Sequence, residues 1–292
     1  MLSGEGPGSQ PPPPTPETPP PTPGMAFGCA KRQQRGLAEQ TPTMQHADPA
    51  VLAGLLRGAQ VTAALTGAGI SVESGIPSFR GAHGLWQRYN PMEYAHIQAF
   101  LDNPAKVWVM LRELDDLLSQ ARPNPAHYAL AELERMGKLK GIITQNVDNL
   151  HQAAGSRNVI EFHGNARRFV CLRCRRAFDH AALDFSHVPL YCSCGGLIKP
   201  DIVFFGEEIP PAANRAAFDL AEACDLMLVI GTSAAVMPAN FLPKAAKNHG
   251  AVIVEINLEP TELTRRFTDY FLEGPASGIL SETVTLLTRK AG

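Results

Sequence analysis

Apolar residues in this chain come in short uninterrupted runs, and each run stops at a cluster of small or hydrogen-bonding residues. Residues 61–66 lead into Gly67-Ala68-Gly69-Ile70-Ser71, 141–144 into Gln145-Asn146-Val147-Asp148, 226–230 into Gly231-Thr232-Ser233, and 251–256 into Asn257-Leu258-Glu259. A further short run, 158–162, ends at His163-Gly164. Runs this short, bounded by polar clusters, read as parallel strands buried on both faces. Between them the pattern takes a helical period. Asp48-Pro49 reads as an N-cap followed by Pro at the first helical position, with Val51, Leu52, Leu55 and Leu56 on one inner face. Residues 104–119 carry the apolar stripe Val107, Leu111, Leu114 and Leu118. Asn124-Pro125 starts another helix, with Tyr128, Leu130, Leu133 and Met136 inward and Gly137 closing it. Residues 211–223 and 240–249 are also helical. This alternation predicts an α/β fold, a Rossmann-like doubly wound parallel sheet with right-handed crossovers and a nucleotide along its carboxyl edge.

The period breaks down over 166–199, where Cys171-x-x-Cys174 and Cys192-x-Cys194 stand 17 residues apart. Two close Cys pairs at such a distance predict one zinc ion held by four thiolates. Four thiolates leave no open coordination position, so this zinc stabilises the fold and performs no chemistry. Cys224, just before a strand, reads as a small core residue. The expected organisation is a Pro-rich disordered tail over 1–45 and a catalytic domain over 46–292. Within the latter, Rossmann-like parts cover 46–78, 125–165 and 200–292, a helical lid module about 79–124, and a zinc-binding module about 166–199. The tail holds ten Pro between Pro7 and Pro23, too few apolar residues to offset the entropy of folding. It reads either as a partner-binding polyproline segment or as a dispensable extension, with Met25 or Met44 as the true start.

Composition narrows the partners. With 26 Lys+Arg against 28 Asp+Glu, the formal charge of −2 supplies no electrostatic footprint for nucleic acid or for an anionic membrane. No apolar run approaches the roughly 20 residues of a membrane span, and the N-terminus lacks a signal-peptide apolar region. Four of the six Cys crowd into one short region, which suits a reducing, cytoplasmic setting better than a disulfide framework.

The loop Gly67-x-Gly69 after a strand lets backbone N–H groups approach a pyrophosphate. The third glycine of the dinucleotide fingerprint is replaced by Val72, and no strand with an acidic ribose ligand follows about 20 residues on, which counts against hydride transfer. Pro77-Ser78-Phe79-Arg80 and the Gly-rich residues up to Trp86 read as a mobile lid, with Arg80 a cation beside the phosphate loop. Strand ends bearing Gln145, Asn146, Asp148 and His163 suggest one shared site. A general base near neutral pH wants a pKa close to that pH, and among unperturbed side chains His alone offers one, about 6.5. Of nine His, only His163 sits at a strand end beside a glycine. His127 and His151 fall in helical segments, His180 and His187 in the Cys-rich region, and His46 beside the tail.

Taken together, the blocks LTGAGIS (65–71), GIPSFR (75–80), TQNVDNLH (144–151), EFHG (161–164), the two Cys pairs, KPDIVFFGE (199–207), GTS (231–233) and EIN (255–257) closely resemble the sirtuin family of NAD-dependent protein-lysine deacylases, in its bacterial form. The resemblance implies NAD as co-substrate, one structural Zn2+, and acyl-lysine proteins or peptides as partners. It places Gly67, Ala68, Gly69 and Arg80 at the pyrophosphate, and Gln145, Asn146 and Asp148 at the nicotinamide ribose and carboxamide. Gly231, Thr232, Ser233, Asn257 and Ala276 fall at the adenosine half, and Phe79 becomes a gate. Ile70, Ser71, Pro77, Trp86, Val147, Leu258 and Glu259 complete the cofactor set. In the family an acyl oxygen attacks the ribose carbon, nicotinamide leaves, and a His activates a ribose hydroxyl; His163 matches that His. Val203, Phe204, Phe205, Gly206 and Glu207 would pair with the peptide as an added strand.

Two features depart from the family pattern. The second pair is Cys-x-Cys where two intervening residues are common, which bears on the shape of that knuckle. Relatives that remove acidic acyl groups carry a Tyr and, three residues later, an Arg where this chain has Leu111 and Leu114. The expectation is therefore neutral acyl groups, because an apolar pocket desolvates a carboxylate at large cost. The alternatives are mono-ADP-ribosyl transfer to protein, which breaks the same bond, and removal of longer or acidic acyl groups.

Overall fold

Seven parallel strands form the main sheet, and from the second strand on the chain builds it outward from the middle. In a computed structural model that describes residues 44–78 and 84–289, the strands are β1 (Gln45–His46), β2 (Thr62–Thr66), β3 (Gly141–Thr144), β4 (Val159–Glu161), β5 (Gly164–Cys171), β6 (Ala177–Asp179), β7 (Ile198–Ile202), β8 (Leu226–Ile230), β9 (Val252–Asn257) and β10 (Tyr270–Glu273). The main sheet runs β1-β10-β9-β8-β2-β3-β4, with every pairing parallel. The chain moves from β2 to β3 and β4 on one side, then returns to lay β8, β9 and β10 on the other. The order therefore reverses between β2 and β8, the place where an open parallel sheet opens a crevice for a ligand. Register keeps the strand ends level there, with Thr66 opposite both Thr144 and Ile230.

The strands read as uniformly apolar because both faces are covered. Ala64, Ile142, Leu228 and Val254 pack with Leu52, Leu56, Leu130, Leu133 and Leu280 on one face. Ala63, Leu65, Ile143, Met227 and Val229 pack with Phe162, Ala217, Ala221, Leu242 and Ala246 on the other. The helices are α1 (Pro49–Gly58), α2 (Pro91–Tyr94), α3 (Ile97–Asp102), α4 (Pro104–Gln120), α5 (Pro125–Arg135), α6 (Leu150–Ala153), α7 (Pro211–Ala223), α8 (Leu242–Asn248), α9 (Glu262–Arg266) and α10 (Ala276–Thr288). Asp48 caps α1, its Oδ1 accepting from the N–H groups of Ala50 and Val51 at 3.0 and 2.9 Å. Among the described residues no helix is long and apolar enough to cross a membrane.

Several expectations need correcting. Val51 is 40% exposed, and α1 instead buries Leu52, Ala53 and Leu56. Tyr128 is 53% exposed; α5 turns Ala126, His127, Ala129, Leu130 and Leu133 inward, a stripe at helical spacing that leaves position 128 on the opposite side. The folded part starts before residue 46, since Gln45, expected in the tail, pairs with Tyr270 as His46 does with Phe271. Residues 1–43, which hold nearly all of the expected tail, and Phe79 and Arg80 lie outside the described residues.

A second, antiparallel sheet of order β6-β5-β7 carries the Cys pairs. Its inner face shares one apolar cluster with the helices α3 and α4, in which Phe100, Trp108, Leu111, Phe169 and Phe204 are buried. Trp108 stacks on Phe169 at 6.3 Å with planes 5° apart. The helical and Cys-rich modules are thus packed around a common core.

Candidate active site

The crevice between β2 and β8 is closed at its floor by two loops that touch backbone to backbone. Gly69 donates its N–H to the Gly231 carbonyl at 2.8 Å, and Gly67 to that of Ile230 at 3.1 Å. A Cβ on Gly69 would stand 2.7 Å from the Gly231 Cα, and one on Gly67 2.7 Å from the Thr232 Cβ. The chain after Gly67 winds as a short 3-10 helix, Ala68–Ser74, where the fingerprint would have an α-helix. Val72 is 45% exposed, so the position of the missing third glycine meets no close packing partner. A cradle made of glycine backbone is the feature that fits a pyrophosphate here.

Polar side chains from β3 tie this loop down. Asn146 Nδ2 donates to the Gly67 carbonyl and to Ser71 Oγ, each at 3.1 Å. Ser71 Oγ donates to Asp148 Oδ2 at 2.7 Å, and the Leu150 N–H donates to Oδ1 at 2.9 Å. Burial raises the Asp148 pKa, while those hydrogen bonds act the other way. Behind them His127 and His151 pack ring against ring at 4.9 Å. Burial holds both imidazoles neutral, with pKa values lowered to about 4 and about 3.

A chain of contacts then crosses the strand ends. Asn257 Nδ2 donates to the Thr232 carbonyl at 3.0 Å, Gln145 Nε2 donates to Thr232 Oγ1 at 3.0 Å, and His163 Nδ1 lies 3.1 Å from the Gln145 carbonyl oxygen. A carbonyl oxygen only accepts, so Nδ1 carries the proton and Nε2 keeps its lone pair. Burial lowers the His163 pKa, and the Gln145 carbonyl partly opposes this. Gly164 has φ +81°, and a Cβ there would stand 2.1 Å from the Asp201 carbonyl oxygen, so glycine is what lets the chain turn from His163 into β5.

The other expected site residues sit around this line. Ile70 is buried under the Gly loop, Pro77 and Val147 are half-buried, and Ala276 opens α10. Ser233, Leu258 and Glu259 are exposed at the ends of β8 and β9. Trp86 faces Phe205, with ring centroids 6.2 Å apart, and so stands on the side of the expected peptide segment. In that segment Val203 donates to the His163 carbonyl at 2.9 Å. Phe205 is already bridged, donating to the Ala95 carbonyl at 2.8 Å and accepting from Ile97 at 2.9 Å. The Phe205 backbone is therefore not open to an added strand.

The four Cys meet as the spacing suggests. All four Sγ atoms lie within 4.8 Å of one another, with Cys171 to Cys194 at 3.5 Å and Cys174 to Cys192 at 3.7 Å. A tetrahedron with Zn–S bonds of about 2.3 Å has edges of about 3.8 Å, so the donor set fits zinc. Gly195 and Gly196 shape the shortened second knuckle: Gly195 has φ +80°, and a Cβ on Gly196 would stand 2.8 Å from Cys171 Sγ.

Sequence reasoning missed Glu255. It is fully buried in β9, and its carboxylate accepts from the hydroxyls of Thr261, Thr264 and Thr268 at 2.7, 2.6 and 2.9 Å. This shapes the loop beyond Asn257. An acid inside an apolar strand, followed by three Thr, was the available signal.

A Gly-floored crevice at the switch point, a neutral buried His and a four-thiolate metal site define an NAD-type Rossmann enzyme with a structural zinc module. The Sir2 family model matches residues 67–238, and the chain belongs to the Sir2 family. It is 47% identical over 242 residues to NAD-dependent protein deacylase 2 of Pyrobaculum aerophilum, covering 82% of this chain and 96% of that one. It is 44% identical over 241 residues to the NAD-dependent protein deacylase of Pyrococcus furiosus, covering 80% and 96%. These relatives are archaeal. Among solved structures, a Sir2 homolog–NAD complex matches with TM-score 0.78 at 44% identity over 84% of this chain and 95% of that one. A Sir2 variant with deacetylated p53 peptide and 3′-O-acetyl ADP-ribose matches with TM-score 0.74 at 36% identity, covering 82% and 97%.

Proposed function

We propose that this protein is an NAD-dependent protein-lysine deacylase in which His163 is the general base and the Gly67–Ser71 loop holds the pyrophosphate. The observation that carries the reading is the His163 contact with the Gln145 carbonyl: it leaves Nε2 as a free base at the end of the crevice. Bound NAD supplies a glycosidic bond whose cleavage frees nicotinamide and leaves ADP-ribose to accept the acyl group. Gln145, Asn146 and Asp148 orient the nicotinamide ribose half, and Nε2 of His163 takes the proton from a ribose hydroxyl. Thr232, Asn257 and Ala276 hold the adenosine half. The relatives' names support this activity, as does the acetyl ADP-ribose carried by a structure similar at 36% identity.

The Rossmann-like parts (46–78, 125–165 and 200–292) serve NAD, while the helical (79–124) and zinc (166–199) modules build the acyl-peptide side. Val203 to Glu207 takes the peptide. Leu111 and Leu114, both buried and apolar, support neutral acyl groups. The near-balanced charge supports protein over nucleic-acid partners, and four Cys gathered as a metal donor set instead of in disulfides support a reducing cytoplasmic setting. The test follows nicotinamide release from NAD with and without acetyl-lysine peptide. Release that depends on the peptide, with no ADP-ribose retained on protein, supports the reading; peptide-independent labelling of protein overturns it.

A further inference from the structure

The loop after β7 is wrapped around one buried ammonium. Lys199 is 3% exposed, and its Nζ donates to the Ile202 carbonyl at 2.6 Å, the Pro200 carbonyl at 3.2 Å and Glu207 Oε2 at 3.0 Å. An ammonium has three N–H donors, so these three acceptors use it fully. Nζ also lies 4.7 Å from the Phe204 ring centroid. The same Glu207 Oε2 accepts from the Phe204 N–H at 2.9 Å, and the Glu207 N–H returns to the Phe204 carbonyl at 3.0 Å. Every one of these contacts falls on residues 200–207, between His163, to which Val203 is bonded, and Ala95 and Ile97, which hold Phe205.

Packing alone does not call for this arrangement. Lys199 lies on β7 opposite Val170 of β5, and an apolar side chain of similar length would fill that place without desolvating a charge. What the charge supplies is shape: it draws two carbonyls, a carboxylate and an aromatic ring to one point and fixes the path of the segment between them. Burial lowers the Lys199 pKa and the Glu207 charge opposes this, which is the balance of a desolvated but paired ammonium.

The geometry points to Lys199, clamped by Glu207 and Phe204, as a positioning residue that pre-forms the Val203 to Glu207 edge for the acyl-lysine peptide. This rests on the deacylase reading above. A pre-formed edge spares the peptide the cost of ordering it, so the effect falls on peptide binding and leaves NAD and the chemical step alone.

The test compares wild type, Lys199→Met and Lys199→Arg, with an acetyl-lysine peptide and NAD varied separately and backbone hydrogen exchange followed in parallel. Lys199→Met raises the peptide KM about tenfold, with kcat and the NAD KM within about twofold of wild type. Lys199→Arg keeps the charge and the Glu207 pair, but its planar fork cannot serve all three acceptors, and it raises the peptide KM about threefold. In both, amides of 203–207 exchange faster while those of β8 do not change. If Lys199→Met fails to fold, Lys199→Arg decides by the same two readouts. Parallel loss in kcat and the NAD KM, or an unchanged peptide KM with unchanged exchange at 203–207, overturns the proposal. Absence of peptide-dependent nicotinamide release in wild type overturns the deacylase reading instead, and the exchange comparison still decides whether Lys199 shapes the segment.

Discussion

His163 and Gln145 are joined by a hydrogen bond of 3.1 Å from the imidazole Nδ1 to a backbone carbonyl, so the tautomer of the base is set by the main chain of the neighbouring strand end. Because Gln145 is itself bonded through its own N–H to the Thr66 carbonyl at 3.0 Å, the orientation of the ring is built into the sheet.

From this contact follows the pH dependence of turnover. Burial lowers the His163 pKa, so the neutral, active form predominates at pH 7. The sign is that kcat/KM rises with pH through a value below about 6.5 and is flat above it. His163→Ala lowers kcat by about 10²–10⁴-fold. Nicotinamide release measured from pH 5 to 8 in both proteins checks this; an unaltered rate in the variant removes His163 from the mechanism.

Gly69→Ala tests the floor of the crevice. Its Cβ would stand 2.7 Å from the Gly231 Cα and from the Gly231 carbonyl oxygen, both backbone atoms that cannot swing away. Overpacking of this kind costs about 1–3 kcal/mol. The variant is expected to melt at lower temperature and to show a raised NAD KM. An NAD KM equal to that of wild type would detach this loop from the cofactor.

The His127–His151 pair makes stability depend on pH. Both are neutral in the folded state, with pKa values of about 4 and about 3, against about 6.5 when unfolded. The unfolded chain therefore binds more protons between those limits, and stability falls as pH drops below about 6.5, by roughly 1 kcal/mol per pH unit for each His. Urea unfolding at pH 7.5, 6 and 5 reads the slope. His151→Gln should reduce that slope, whatever it does to stability at pH 7.5.

Zinc removal should act through folding. One zinc per chain is expected by elemental analysis. Cys171 ends β5 and the other three Cys lie in the turns that follow β5 and precede β7, and this small sheet shares a core with α4 through Phe169 and Trp108. Chelation at moderate temperature should thus lose activity at the same rate as Trp fluorescence changes. Loss of activity well ahead of the fluorescence change would point to metal chemistry instead.

Much of this was legible from the strand runs alone, because a strand buried on both faces must be apolar throughout and must end where polar residues begin. The runs at 141–144 and 226–230 match β3 and β8 to the residue. The expectation stopped short of β10 and α10: Tyr270–Glu273 is a short edge-side run with acids at its flanks. The small sheet was hidden for a different reason, since β5 to β7 are organised by four sulfurs and by packing on α4, neither of which leaves a period. His127 replaced Tyr128 on the inner face of α5 because its ring serves the Asn124 cap, accepting the Asn124 N–H at 3.3 Å. Lys199 and Glu255 were missed as buried charges although their partners lie close in sequence, at 200–207 and 261–268, because loops that fold back on a strand leave no period.

Acyl selectivity is the last expectation. Leu111 and Leu114 are 3% and 7% exposed, and Leu114 shares an apolar cluster with Ile76, Val147 and Ile202 beside the expected nicotinamide residues. Nothing among these apolar side chains offers a cation to a carboxylate. A succinyl group entering there would lose its hydration without a partner, at a cost of several kcal/mol on the scale of buried unpaired charge. The expected result is a kcat/KM at least about 100-fold higher for acetyl-lysine than for succinyl-lysine in the same peptide, since 1.4 kcal/mol is already tenfold. Propionyl and butyryl peptides should fall between them, closer to acetyl. Equal or faster turnover of the succinyl peptide would mean that a cation from elsewhere reaches the acyl group, and Leu111 and Leu114 would then not set its charge.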